Sequence, residues 1–517
     1  MMKAADLPLR YNMCEILEHN LESRADKTAL LSDNGSMTFG EVSRQVNQAG
    51  NALVRLGVRF GDCVAILCPD RPEWVTSFFA VTKIGGIALG MNTLLKTEEF
   101  NYILGDSRTR VLIVHESLLD AIEPVLDNHA TLQRVIVIGE AADGRYTTFS
   151  NWIDGEETTL ETERTHRDDF CSLHYSSGTT GMPKGILHAH KDYPLIAQLS
   201  GVDVFGLTEA DRTFSVAKLF FVYGIGGNLI FPWYVGASCV LHAGPPRQAA
   251  GVLKTIATHR PTVFVSVPTV YGAILALPRF QERYDLSSLR MCLSAGEPLP
   301  ASAWQAWKDA TRLEILDTIG CTETYHTFMA NRPGAIRPGS SGKPIDGYDV
   351  RLVDDDGNAV PAGQVGHLMV RGESTALFYL HQYEKSRHTF RGEWLFTGDR
   401  YSIDEDGYYW HQGRGDDMLK VGGLWVSPVE IENVLSEHAD VTECAVVGHN
   451  DNAGLLKPKA FVCLRDDTEA SDGLLGELLK LCASKLDTHK RPRWVSFSDA
   501  LPRTATGKLQ RFRLREQ

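Results

Sequence analysis

Positive charge is in short supply in this chain. Against 65 Asp and Glu stand 52 Lys and Arg, a formal charge of −13, so the basic stripe of a nucleic-acid binder is missing and anionic lipid surfaces are poor partners. Ten cysteines are scattered over 517 residues with no Cys-x-x-Cys pair and no histidines at zinc-ligand spacing. That excludes a disulfide knot and the usual structural zinc sites, and reads as reduced, mostly buried thiols in a cytoplasmic protein. A signal peptide's unbroken apolar run is also missing, because Asp6, Glu15 and Glu18 interrupt the first twenty residues. One charge-free stretch, 219–241, is long enough to raise a membrane span, but it holds four glycines, Asn228 and Pro232. Buried core with turns is expected there, and no stable membrane insertion. Repeats and low-complexity tracts are absent.

What is present is ordinary globular material: 43% hydrophobic and 23% charged residues, enough for a sizeable core. Thr38-Phe-Gly-Glu41 is a capping box, and Val42, Val46, Ala49, Leu53 and Leu56 after it recur at helical spacing up to Gly57. The apolar run 63–68, a helical pattern from Arg71-Pro-Glu-Trp74 to Gly85-Gly86, and the run 87–91 read as strand, helix, strand. Similar runs at 111–114, 135–138, 263–267 and 289–293 predict a mostly parallel sheet covered by helices. After about residue 345 short strands with Asp356-Gly357 and Asp406-Gly407 turns make the chain β-rich. Ser427-Pro-Val-Glu430 opens a helix to about Glu437 with Ser427 as cap and Glu430 as the reciprocal partner; strands at 443–447 and 460–464 and a helix over 474–486 complete a small α+β domain. The joint is expected in Gly413-Arg-Gly-Asp-Asp417.

Tyr175-Ser-Ser-Gly-Thr-Thr-Gly-Met-Pro-Lys184-Gly185 gathers three glycines, four serine or threonine hydroxyls and a lysine. Glycine lets backbone N–H groups approach phosphate oxygens, hydroxyls donate further bonds, and lysine adds charge. A flexible Ser/Gly linker has the same composition, and no Gly-Lys-Ser/Thr closes the run as a Walker A loop would. Downstream, in order, come Ser294-Ala-Gly-Glu-Pro298, Gly320-Cys-Thr-Glu-Thr324, Trp394-Leu-Phe-Thr-Gly-Asp399, Gly413-Arg-Gly-Asp-Asp-Met-Leu-Lys-Val-Gly-Gly423 and Pro502-Arg-Thr-Ala-Thr-Gly-Lys-Leu509.

Together these six motifs resemble the signature set of the adenylate-forming superfamily of acyl- and aryl-CoA ligases, luciferases and peptide-synthetase adenylation domains. The resemblance implies an α/β fold: a large N-terminal domain of helix-covered sheets plus a β-rich portion, residues 1–415, and a small mobile α+β C-terminal domain, residues 416–517, hinged at Asp416. It implies ATP, Mg²⁺ and CoA. Ser176, Ser177, Gly178, Thr179, Thr180 and Lys184 would hold the β- and γ-phosphates. Gly296, Glu297, Pro298, Asp317, Thr318 and Ile319 would line the adenine; Ile319 replaces an aromatic residue frequent there, so stacking on the base is expected to be weaker. Thr322 would meet the α-phosphate and Glu323 would hold Mg²⁺, while Asp399 and Arg414 would take the ribose hydroxyls. Lys508 matches the adenylation lysine, a compact cation suited to charge building at the α-phosphorus. As Asp416 swings, Lys508 would leave, and Lys420, Gly422 and Gly423 would line the thiol's path instead.

Lys218-Leu-Phe-Phe-Val-Tyr-Gly-Ile-Gly226 lies at the acid-pocket motif, and with Tyr325-His326 it is most similar to benzoate-CoA ligases. Phe221, Val222, Tyr223, Gly320, Tyr325 and His326 are the expected substrate contacts, forming a short flat slot for benzoate or an amino- or hydroxybenzoate such as anthranilate, with His326 near the carboxylate or a ring substituent. Core packing is the competing reading of these aromatics. Cys321 invites alkylation as an inhibition test. Nine residues follow Lys508, so no carrier domain is expected in the chain and CoA is the simplest thiol. A stand-alone aryl adenylation enzyme loading a separate carrier protein and a short- or medium-chain acyl-CoA synthetase are the alternatives within the class. A phosphotransfer kinase and a non-catalytic nucleotide-binding scaffold are the rivals outside it. A monomer or homodimer is expected.

Overall fold

The computed structural model describes residues 2–140, 144–176, 182–245, 248–421, 424–451, 454–465, 468–503 and 509–516, with the side chains of Asp416 and Trp425 left out. Two large sheets organise the first 345 residues. In the seven-stranded sheet the order is Thr147–Thr148, Arg134–Ile138, Val111–His115, Cys63–Leu67, Ile87–Gly90, Phe170–Ser176, Lys184–Ala189, parallel except for the last pair. In the nine-stranded sheet six parallel strands run from Ile315–Gly320 through Met291–Ser294, Val263–Ser266, Arg212–Ser215 and Ser238–Val240 to Thr28–Ser32, and antiparallel strands close both edges.

Strand side chains alternate between faces, and both faces are apolar, as a sheet covered on two sides requires. Val64 and Ile66 point into a central core that also takes Val263 and Val265 from the other sheet. Cys63, Ala65 and Leu67 point the other way, onto Phe100, Ile103 and Leu104 of the helix Thr97–Asp106. Phe264 likewise faces outward onto Tyr271 and Trp307, from the helices Pro268–Leu275 and Ala301–Thr311. The result is five layers, helix, sheet, helix, sheet, helix. The middle layer includes Phe39–Arg55 and Pro72–Lys83, whose Phe39 and Phe79 pack on Trp233 at 5.4 and 5.2 Å between ring centroids. Thr38 caps the first of these as its sequence predicts, accepting from the Glu41 N–H while Glu41 accepts from the Thr38 N–H. Such a cap contributes roughly 1 kcal/mol.

The charge-free stretch 219–241 is broken into Val222–Ile225, a π-type turn, Phe231–Tyr234 and the strand Ser238–Val240, nearly all buried. Among the described residues no helix is long and apolar enough to cross a membrane. Eight of the ten cysteines are buried, and all ten are free thiols.

Beyond residue 345 an antiparallel sheet carries Tyr348–Val353, Gly366–Gly372, Trp394–Ile403 and Tyr409–Arg414. The ribbon Leu419–Val421/Leu424–Val426, the helices Pro428–Leu435 and Asp472–Lys485, and a three-stranded sheet of Val441–Asn450, Leu456–Leu464 and Trp494–Phe497 follow. Two apolar clusters here draw only on residues from Leu419 onward. Ser427 caps its helix through the Glu430 N–H, but the Glu430 carboxylate is not the reciprocal partner: it is taken by Lys490 at 2.8 Å, a full charge being a stronger partner than a backbone N–H.

Candidate active site

In parallel α/β sheets the useful surface lies beyond the carboxyl ends of the strands, where loops diverge. Here Ser294, the last residue of its strand, is in register with Asp317 of the neighbouring strand, and Ser176 and Lys184 face each other across a hairpin of the other sheet. Residues 177–181 between them, with the predicted phosphate contacts Ser177, Gly178, Thr179 and Thr180, lie outside the described residues, as do Gly422, Gly423 and Lys508. The Ser176 hydroxyl is buried with no hydrogen-bond partner among the described residues, a donor left to be satisfied at the end of its strand.

Lys184 reaches across to Glu323: its Nζ lies 3.5 Å from Glu323 Oε1, with both side chains mostly buried. Between them stands Tyr379, unremarked in the sequence. Its hydroxyl donates to the same Glu323 oxygen at 2.7 Å, and its ring lies under the Lys184 ammonium, 4.5 Å from the centroid. Burial and the Glu323 charge push the Tyr379 hydroxyl well above its ordinary pKa, so it remains a proton donor. Opposite charges are thus held together by one neutral ring.

The turn that carries Glu323 is fixed through three consecutive carbonyls. His188 Nε2 meets the Thr322 carbonyl at 2.7 Å, the Ala376 N–H donates to that of Glu323 at 2.7 Å, and Ser374 Oγ donates to that of Thr324 at 2.7 Å. His188 is itself anchored through Nδ1 to Asp192 at 2.9 Å. These are second contacts that no motif announced.

Asp399 and Arg414, the expected ribose contacts, are register partners in neighbouring strands and their side chains pair at 2.9 Å. Asp317 is buried, and desolvation raises its carboxyl pKa to about 8 against the opposing bonds from Ser294, Leu299 and Thr318. Thr318 Oγ1 donates to the Ser294 carbonyl at 3.1 Å, and Ile319 is half-buried beside exposed Gly320. Gly296 and Pro298 are exposed around Glu297, whose carboxylate pairs with Arg503 at 3.1 Å. Lys420 is exposed on the ribbon before the undescribed glycines. Asp416 lies in the 3₁₀ turn Gly415–Asp417.

The predicted acid contacts divide. Tyr223, Phe231 and His326 form one aromatic wall, with centroids 5.5 and 4.6 Å from His326, and Phe221 packs on Phe220 at 4.5 Å beside Val222. Both His326 nitrogens are engaged, Nδ1 with Thr327 Oγ1 at 2.9 Å and Nε2 with the Tyr223 carbonyl at 3.3 Å. Burial lowers its pKa to about 4, so it is a neutral wall at pH 7 and no counter-ion for a carboxylate. Gly226 is required: a Cβ there would stand 2.4 Å from His326 Cδ2. Tyr325, expected at the substrate, is instead wholly buried, its ring 4.5 Å from Tyr193 and 5.2 Å from His188. The chain leaves the Glu323 turn with Tyr325 at φ 68°, and its side chain joins the core under the turn. Cys321, offered for alkylation, is held by burial far above the ordinary thiol pKa, so its reactive thiolate is scarce.

Residues 17–380 match the AMP-binding enzyme family and residues 430–508 the AMP-binding enzyme C-terminal domain. The benzoate–CoA ligase of Thauera aromatica is 42% identical over 516 residues, covering 99% of this chain and 97% of that protein. A crystal structure of an anthranilate CoA ligase in complex with anthranoyl-AMP superposes with a TM-score of 0.97 at 58% identity, over 100% of this chain and 98% of that one. A benzoate CoA ligase from Burkholderia xenovorans does so with a TM-score of 0.91 at 38% identity, covering 98% and 100%. The chain belongs to the AMP-binding enzyme family, the adenylate-forming ligases.

Proposed function

We propose that the preferred acid of this AMP-forming aryl-CoA ligase is 2-aminobenzoate. The observation that carries the ring assignment is the full-length likeness, at 58% identity, to the anthranilate CoA ligase holding anthranoyl-AMP. The half-buried Tyr223, backed by the neutral His326, supports it, since a planar ring would meet an aromatic face there and no charge.

The reaction has two halves. A carboxylate oxygen of the acid attacks the α-phosphorus of ATP, the bond to the β-phosphate oxygen breaks, and pyrophosphate leaves with its electron pair. The CoA sulfur then attacks the carbonyl carbon of the adenylate, its proton passes to solvent, and AMP leaves. In the first half the hairpin from Ser176 to Lys184 would hold the outgoing phosphates, Thr322 the α-phosphate, Asp399 and Arg414 the ribose, and the 296–298 and 317–319 segments the base. Because His326 is neutral, the charge gathering at the α-phosphorus would be met by Lys508. Lys184, 3.5 Å from Glu323, would exchange that carboxylate for phosphate oxygens.

Glu323 fits Mg²⁺ as a lone carboxylate: among the described residues no cluster of three His, Cys, Asp or Glu surrounds it, and a small hard cation takes the rest of its shell from phosphate and water. When bound, the ion would neutralise charge shared between the phosphates. For the second half, rotation of residues 416–517 about Asp416 would withdraw Lys508 and bring the ribbon from Lys420 to the thiol path. The separate apolar clusters from Leu419 onward favour that boundary, because a unit with its own core can turn without tearing another.

Initial rates of AMP formation with MgATP, CoA and either 2-aminobenzoate, benzoate or octanoate test the assignment. 2-Aminobenzoate is expected to exceed benzoate in kcat/KM, a preference that benzoate as the better substrate would overturn, and both are expected to exceed octanoate by at least about tenfold, or ~1.4 kcal/mol. Preference for octanoate overturns the aryl assignment.

A further inference from the structure

The segment carrying Lys508 is closed at its base. Arg503 and Leu509 pair as antiparallel partners on either side of it, and the Gln510 N–H donates to the Pro502 carbonyl at 2.8 Å. Whatever fixes Arg503 therefore fixes one end of the segment that carries Lys508, residues 504–508 themselves lying outside the described residues. The Arg503 side chain is 17% exposed and its two terminal nitrogens serve two carboxylates from different parts of the chain. Nη1 pairs at 3.1 Å with Glu297, on the loop between the nucleotide-face strand Met291–Ser294 and the helix Ala301–Thr311. Nη2 pairs with Glu443, on the strand Val441–Asn450 of the C-terminal sheet.

We propose that Arg503 is a positioning residue for the adenylation half-reaction alone: paired to Glu297, it holds the chain at Arg503 and Leu509, the described flanks of the Lys508 segment, and it must release Glu297 for the thioester half. The inference rests on the reading of Lys508 given above. A planar guanidinium suits the task, since its fork bonds two carboxylates in fixed directions where an ammonium offers one point of charge. The bond to Glu443 lies within the C-terminal part and survives a rotation about Asp416; the bond to Glu297 crosses the joint and does not. The pair is thus specific to one arrangement. Its loss penalises the half-reaction that uses that arrangement, and spares the other.

The test compares Arg503→Ala, Arg503→Gln and Arg503→Lys with Lys508→Ala in two assays: pyrophosphate release from MgATP and 2-aminobenzoate, and CoA thioester formation from supplied 2-aminobenzoyl adenylate. The ratio of the two rates cancels the amount of folded enzyme, so a variant that folds poorly still reports. Arg503→Ala and Arg503→Gln are expected to lose about tenfold or more in the first assay and less than about twofold in the second, with Arg503→Lys between them and wild type. Equal losses in both assays, or none, in Arg503→Gln while Lys508→Ala is split overturn the pin. Equal losses in Lys508→Ala overturn the reading of Lys508 instead.

Discussion

Replacing Tyr379 by Phe removes one hydroxyl and leaves the ring. The hydroxyl donates to Glu323 Oε1 at 2.7 Å and accepts from Lys184 Nζ at 3.3 Å, while the ring lies 4.5 Å from the same ammonium, so the substitution removes the hydroxyl's two bonds and keeps the ring contact. A hydrogen bond to a charged acceptor contributes about 1.5–3 kcal/mol when buried. Glu323 retains 13% side-chain exposure, and water replaces part of the loss. A net cost of roughly 1–2 kcal/mol remains, which is about 5- to 30-fold in kcat/KM for MgATP. The assay is ATP–pyrophosphate exchange at saturating acid, titrating Mg²⁺ at fixed ATP; the loss is expected as a raised Mg²⁺ requirement with the KM for the acid unmoved. Tyr379→Leu deletes the ring too, and a cation–π contact contributes a further ~0.5–2 kcal/mol. Wild-type exchange in Tyr379→Phe, or a loss confined to the acid's KM, would refute the assignment of Tyr379 to the Lys184–Glu323 pair.

Three further outcomes follow from the same geometry. Lys508→Ala is expected to abolish pyrophosphate release while leaving thioester formation from supplied adenylate nearly intact; rapid-quench measurement of each half-reaction checks it. Gly226→Ala drives a methyl against His326, which is held at both nitrogens; an overpacking cost of about 1–3 kcal/mol should raise the acid's KM by about tenfold with the ATP KM unchanged in steady-state kinetics. Asp317 binds its proton more tightly folded, with a pKa near 8, than unfolded, so it favours the folded state below pH 4 and that advantage is lost as pH rises toward 8. Asp317→Asn, neutral at every pH, should therefore flatten the fall in melting temperature between pH 5 and pH 8.

What the sequence made legible was local. The capping box at Thr38, the two-faced strands and the broken stretch 219–241 are each set by neighbours within a few residues, and each forms as expected. The ordered motifs likewise led to Lys184, Glu323, Asp399 and Arg414, two pairs that the fold brings into direct contact. Tyr379 and His188 were illegible because their partners are remote, 56 and 134 residues away, and neither sits at a revealing spacing. Tyr325 misled for the opposite reason. It follows the Glu323 motif immediately, yet one positive φ carries its side chain into the core, and adjacency in sequence gives no warning of that. Glu430 shows the same limit at a helix end, where a distant lysine outbids the local N–H.

The central claim is that the acid passes through an enzyme-made aryl adenylate before CoA arrives. Incubating the protein with MgATP and 2-aminobenzoate, quenching in acid and analysing by mass spectrometry, before and after a chase with CoA, tests this directly. One equivalent of 2-aminobenzoyl adenylate without CoA, converted to the CoA thioester with release of AMP on the chase, is the predicted result. ADP in place of pyrophosphate, or a thioester formed with no adenylate in the unchased sample, would contradict it.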